Sequence, residues 1–484
     1  MMISQRSLLI QALVWLGLPV LLFIIFWWKW WVSVPVIILI VWSVVQIFNK
    51  HSRGQFTSGG YADIKLSSEA WWMVIVVLAY VICSGIGGFV AQMPNDHAWR
   101  NAVFYDLARQ PWPVVYGDGD SAPYLCYYFG FWLPAALMAK FTGFIVAGDI
   151  AQALWASWGT WIALCFLFAM TGGKPRWRII IIFIFFNSWD FLSSAFFSDE
   201  YYNILEDPLT PQFMWLSTTS SRFGCSANGV FYNFIYNQAI PTWVMMSVIL
   251  HERHKPQRLL FWFGMLVIFA PIPALALIPY ISFALLRRFR KIFTVPNLSG
   301  FLVALLSSLF LLSNNSGGQF RVLDADGSSV RLLCMSVCFV VLSYGVFVPF
   351  VWLYIKRCLL FWSLLSLAVI VPLFGIGTTP DLAWRISVPL VILLCIDMCR
   401  RSIEIQSSSR IAGILFYSVL IIGAFSPCYL LFRTAVNEIE VVHGNRDRKL
   451  INMMGHLDDP GYNVYYNNFV STQRKRIPGL RLNP

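Results

Sequence analysis

Charge is scarce in this sequence: Asp, Glu, Lys and Arg make up only 12% of its 484 residues. Soluble domains carry roughly a quarter. With 58% hydrophobic and 17% aromatic residues beside it, that shortage excludes a soluble globular protein. Zinc-ligand spacing is missing too. Most of the ten cysteines lie inside apolar runs, and Cys334 with Cys338, like Cys395 with Cys399, are helix-spaced small hydrophobes. There is no repeat with a period of about 20 to 50 residues and no low-complexity tract. The first apolar run has no small-residue cleavage site, and a second run follows at once, so it reads as a retained helix. The excess of basic residues, a formal +12, does not indicate nucleic acid. Lys and Arg collect in the short loops between apolar runs, where they anchor membrane helices on the cytoplasmic side.

What is present is length in the apolar runs. They fall near 8–28, 31–48, 71–92, 143–170, 178–197, 236–250, 259–286, 299–313, 332–354, 358–376, 386–398 and 411–432. About 20 residues suffice for a helix to cross the hydrocarbon of a bilayer. The expected fold is all-α, polytopic, with about 12 transmembrane helices forming one unit over 1–432. Basic clusters at Lys50 to Lys65, Lys174 to Arg178, His251 to Arg258, Arg287 to Lys291, Lys356-Arg357 and Arg400-Arg401 all take the cytoplasmic side if the N-terminus does. The first (93–142) and second (198–235) extracytoplasmic loops and a tail over 433–484 then share the other side. One condition follows: Tyr127–Lys140 must lie along the surface, with interfacial helices in the first loop. The run 259–286 is too long for one span and holds Pro271 and Pro273, so it should break.

Polar chemistry gathers in those outer segments. Asp96 follows a span and stands one helical turn before Arg100; it either caps an interfacial helix or serves as a general base. Asp118 and Asp120 read as a turn, lacking the further ligands of a calcium loop. The rings from Tyr124 to Trp132 read as interfacial anchors. Asp190 lies in an apolar run, where an ionisable group usually faces a cavity or partner. Asn228, Asn233, Asn237 and Gln238 can bind sugar hydroxyls or phosphate oxygens, or cap a helix. Asp381 and Arg385 are four apart at a helix start, where Arg presents a planar fork to phosphate. Cys126 and Cys225, both in outer loops, are a candidate disulfide or two thiols.

Taken in order, these blocks resemble the GT-C-type membrane glycosyltransferases, bacterial members related to protein mannosyltransferases and lipid A aminoarabinose transferases. The resemblance rests on Asp96, then Asn101-Ala102 with Asp106-Leu107, Pro111-Trp112-Pro113-Val114 and the stretch Tyr127 to Leu137. Asp190, Ser226 to Trp243, and Asp381, Arg385, Ile386 and Pro389 follow in sequence. It departs from the pattern at His97 and Arg100, and the second loop has Pro211-Gln212-Phe213-Met214-Trp215 where a His-x-Glu-x-Trp is common. The resemblance implies an inner-membrane enzyme using a polyprenyl-phosphate sugar, with Asp96 as base. It implies Arg385, Gln238 and Asn237 on the donor phosphate, and Arg100, Asp190 and Asp381 in the substrate site. No metal site is assigned, a divalent cation stays open as a cofactor, and the acceptor is an unspecified glycan, lipid or protein. A lipid-linked-sugar flippase and an O-antigen polymerase or ligase are the rival functions.

Overall fold

The computed structural model describes residues 1–49, 60–90, 94–117, 122–189, 228–314, 320–322, 329–376, 382–405, 409–425, 427–428, 431–432, 469–471 and 477–481. The chain is a membrane-embedded protein, and its described residues are 77% helix with little sheet. Every one of the twelve apolar runs contains a helix. Among the described residues, five segments are long and apolar enough to cross a membrane: α1 (Gln5–Trp27), α2 (Trp30–Phe48), α6 (Ile145–Met170), the segment Leu332–Ile355, and α15 (Leu382–Glu404). Between them lie α3 (Glu69–Cys83), α4 (Pro94–Arg109), α5 (Leu133–Thr142), α7 (Trp177–Phe185), α8 (Asn228–Glu252), α9 (Leu259–Leu266), α10 (Pro271–Leu286) and α11 (Val295–Leu311). Then come α12 (Ser329–Tyr344) and α13 (Val348–Ile355), which share the segment Leu332–Ile355, α14 (Leu359–Ile370) and, last, α16 (Arg410–Gly423).

Proline sets the breaks. The run 259–286 divides into α9 and α10, and Pro271 begins the second helix, where its missing N–H costs nothing. The stretch Tyr127–Lys140 contains only a 3-10 turn at Gly130–Trp132 and the first eight residues of the ten-residue α5. Ten helical residues rise about 15 Å, half the hydrocarbon thickness, so this stretch is too short to cross.

The loops sort to the two ends of the bundle. At one end Met2–Ile3 pairs antiparallel with Ile64–Lys65, Ala62 N–H donates to Ala169 O, and His251 bonds Gln5 Oε1 at 3.0 Å. Arg6 donates to Phe48 O and Arg178 to Ser402 O there, so the basic clusters meet one another. At the other end Tyr124–Leu125 pairs with Val470–Ser471, Phe320–Val322 pairs with Phe374–Ile376, and the turn after α1 is bridged at Trp28 by Leu480. The described parts of 433–484 are therefore packed onto the first loop and the α1–α2 turn.

Lipid tails are as apolar as Leu, so burial alone does not drive these helices together; close packing and buried polar contacts must. The α9–α11 crossing shows how. A Cβ on Gly264 would fall 2.1 Å from Gly300 O, and one on Gly300 would fall 2.1 Å from Leu260 O. Only two glycines permit this approach. On the other flank of α11, Ser299 and Ser43 of α2 share a hydroxyl contact of 2.8 Å.

Candidate functional site

The site begins with a fault in α8. Ile235 has non-helical dihedrals (φ −141°, ψ 35°), which splits the helix. Six residues on, Pro241 has no N–H to give to the carbonyl of Asn237, so that carbonyl loses its helical donor. Tyr236, Asn237 and Gln238 lie between the two interruptions. Broken helices within a membrane are tolerated where they are buried in protein or line a cavity, and there they often carry binding groups. Asn237 is fully buried, and neither its amide N nor its O has a hydrogen-bond partner among the described residues. The same is true of Gln238 Oε1. Leaving such groups without partners costs about 1–3 kcal/mol each, which a ligand can recover.

Tyr128 joins this fault to α15. Its hydroxyl accepts from Arg385 Nη1 at 2.5 Å and from Gln238 Nε2 at 3.3 Å. The Arg385 guanidinium also stands 6.0 Å from the centre of the Tyr128 ring. Two positions 147 residues apart in the chain (385 − 238) thus meet on one phenol. Tyr127 lies against Tyr128, with ring centres 3.8 Å apart, and against Phe469, which stacks on Trp99 of α4.

Helix α4 supplies a second cation. Arg100 is buried, with its guanidinium 5.7 Å from the centre of the Tyr236 ring. His97, one turn earlier, bonds Asn233 O through Nε2 at 2.6 Å, and Trp132 Nε1 donates to Tyr236 at 3.3 Å. Burial pushes the Tyr127 phenol well above its ordinary pKa, with Tyr128 adding to the rise, while Arg385 and Arg100 both pull it back. The two guanidiniums are therefore close enough to act on the same group.

Three of the seven residues singled out in the sequence, Arg100, Gln238 and Arg385, come together around Tyr127, Tyr128 and Tyr236, and Asn237 is the neighbour of Gln238 in α8. The backbone at Asp96 belongs to α4, one turn before Arg100, but its side chain lies outside the described residues, as do Asp190 and Asp381. Cys225 and the Asp118–Asp120 turn also lie outside them, while Cys126 Sγ is 3.1 Å from Phe310 O.

One expectation needs correcting. The rings from Tyr124 to Trp132 are not interfacial anchors: Tyr124, Tyr127, Tyr128, Phe129, Phe131 and Trp132 are all buried. They fill the space between α1, α8 and α11, where rings have area and the phenols find partners. Tyr128, the junction of the site, was missed for that reason. The signal was the Tyr-Tyr doublet, two polar tips within an otherwise apolar aromatic stretch. The assembled groups are two guanidiniums, the Gln238 amide and a phenol, with the Asn237 amide buried next to them in the chain. They suit an anion with several oxygens, and above all phosphate. Searches against protein-family models, curated proteins and solved structures found no match to this chain.

Proposed function

We propose that the chain is a polytopic GT-C-type glycosyltransferase that moves a sugar from a polyprenyl-phosphate donor to an acceptor hydroxyl. In this reading about 12 helices cross the inner membrane and the reaction takes place on the extracytoplasmic face. The observation that carries the reading is the meeting of Arg385 and Gln238 on the Tyr128 hydroxyl, beside the unsatisfied amide of Asn237 and the second cation, Arg100. Three separate sequence blocks converge there on groups that bind phosphate.

The chemistry is a single displacement. The acceptor oxygen attacks the anomeric carbon, the bond from that carbon to the phosphate oxygen breaks, and its electron pair stays on the phosphate. Arg385 meets that growing negative charge with a two-pronged fork, and Gln238 and Asn237 hold further oxygens. Arg100 adds positive potential from the other side. Asp96 takes the acceptor's proton. One displacement inverts the anomeric centre. The transition state has oxocarbenium character, so stabilising the leaving group matters as much as activating the nucleophile.

Asp96→Asn tests the base directly. An amide keeps size and hydrogen bonding but cannot accept the proton, so turnover should fall by roughly 10²–10⁴-fold with little change in thermal stability. If Asp96 only caps α4, its loss costs about 1 kcal/mol of stability and leaves turnover near wild type. That second pattern removes Asp96 from the mechanism.

A further inference from the structure

The end of the bundle opposite the candidate site holds a cavity of about 410 Å³. Five basic side chains line it: Arg253 and His254 after α8, Arg287 and Arg288 at the end of α10, and Arg357 before α14. Basic residues are ordinary at this end, where they anchor loops; what sets these apart is that they converge on one cavity. Elsewhere on the same face Arg258 and Lys255 pair with Glu252, and Arg400 pairs with Asp397. Among the described residues no carboxylate lies within ion-pair distance of Arg253, Arg287, Arg288 or Arg357. The nearest acid in sequence, Glu252, is fully buried and already shared among His251, Lys255 and Arg258.

The local potential reflects that surplus. Burial lowers the pKa of His254, and Arg253, Arg288 and Lys255 lower it further, with no acid acting in opposition. Arg253 Nε donates to His254 Nε2 and Arg288 Nη1 to His254 O, which holds two of the guanidiniums at the cavity instead of letting them disperse into solvent.

The remaining wall is apolar, with Tyr280, Phe283 and Leu359 among its residues. Two of its apolar side chains are left uncovered by the rest of the described protein: Phe283 of α10 is 41% exposed and Leu359 of α14 40%. In a membrane protein such side chains face acyl chains. A free phosphate ion would use the guanidiniums and leave that apolar wall without purpose. A lipid uses both.

We propose that this cavity binds an anionic phospholipid, its phosphate held by Arg253, Arg287, Arg288 and Arg357 and its acyl chains laid along the exposed faces of α10 and α14. Basic pockets between membrane helices hold anionic headgroups in this way, and guanidinium forks match phosphate oxygens. The site stands apart from the proposed donor site and does not depend on it.

The test uses the full-length chain in neutral detergent, titrated with phosphatidylglycerol or phosphatidylcholine and read by native mass spectrometry. The unmodified protein should retain one phosphatidylglycerol at least about tenfold more tightly than phosphatidylcholine. Each basic residue near a membrane surface contributes roughly fivefold, so the Arg287→Gln/Arg357→Gln variant should lose about thirtyfold. Lys174→Gln/Arg176→Gln removes the same charge from the same end away from the cavity and should change little. Equal retention of the two lipids overturns the proposal without any variant, so a variant that fails to fold does not shield it. Equal loss in both double variants, or inorganic phosphate binding as tightly as phosphatidylglycerol, overturns it as well.

Discussion

Tyr128→Phe removes one oxygen from the centre of the proposed donor site and leaves the ring. The phenyl group keeps its place against Tyr127, 3.8 Å away between centres, so packing should hold. What is lost is a 2.5 Å bond from a charged donor, Arg385, and a 3.3 Å bond from Gln238. Hydrogen bonds to charged groups contribute about 1.5–3 kcal/mol and neutral ones about 0.5–1.5. The longer Gln238 bond falls at the weak end, so the two together hold Arg385 and Gln238 by about 2–3 kcal/mol. If both must be in place to receive the leaving phosphate, kcat/KM should fall by roughly 30- to 150-fold, at about 1.4 kcal/mol per factor of ten. The assay is release of polyprenyl phosphate from a polyprenyl-phosphate sugar, run beside Arg385→Lys and Arg385→Ala. Lys keeps the charge without the fork, so it should retain more activity than Ala and less than Arg. If Tyr128→Phe matches wild type while Arg385→Ala is inactive, the phenol does not position the guanidinium and Tyr128 has no part in the reaction.

Two further predictions concern the framework. Burial raises the Glu252 carboxyl, but the His251 hydrogen bond and the charges of Arg258 and Lys255 outweigh it and hold the pKa at about 2, below its ordinary 4.5. A depressed carboxyl stabilises the fold fully above its unfolded pKa, and that stability is lost as pH falls from about 4.5 through about 2, on the order of 3 kcal/mol at most. Thermal melts in detergent across that window should show wild type losing an advantage over Glu252→Gln; parallel curves would count against the ion network. Gly300→Ala places a methyl group 2.1 Å from Leu260 O, where backbone must move, and should cost about 1–3 kcal/mol. Gly413→Ala in α16 meets nothing within 4 Å and should melt at or slightly above wild type, so equal losses in the two variants would refute close packing as the cause.

Membrane burial was legible in the sequence because an apolar run near 20 residues is the length a helix needs to cross hydrocarbon, and five of the described helical segments have that length and composition. Pro271 also marked the division of 259–286, since a proline ring acts locally and needs no knowledge of neighbours. The α8 fault was legible only in part: Pro241 is visible in the sequence, whereas the dihedrals of Ile235 are set by what packs around it. Arg100, Asn237, Gln238 and Arg385 could be suspected one at a time, as polar residues at the margins of apolar runs. The meeting of Gln238 and Arg385 could not be seen, because Tyr128 connects them across more than a hundred residues of chain. The aromatic stretch around Tyr128 misled for a physical reason. An amphipathic ring suits the headgroup layer and a protein core equally well, and only tertiary packing decides between them. The basic side chains that converge on one cavity at the opposite end were hidden in a similar way. A count of Lys and Arg per loop shows anchoring charge, but not which of them gather around one cavity.

The central claim is that the sugar–phosphate bond of a polyprenyl-phosphate sugar is broken by this chain. Purified protein reconstituted in vesicles with a panel of radiolabelled polyprenyl-phosphate sugars, followed by thin-layer chromatography, tests it directly. Glycosyl transfer requires that at least one donor be converted to polyprenyl phosphate with its label appearing in a new product, and that Arg385→Ala abolish the conversion. Intact donors throughout the panel, with label crossing the bilayer on the lipid, would contradict transfer and leave a flippase.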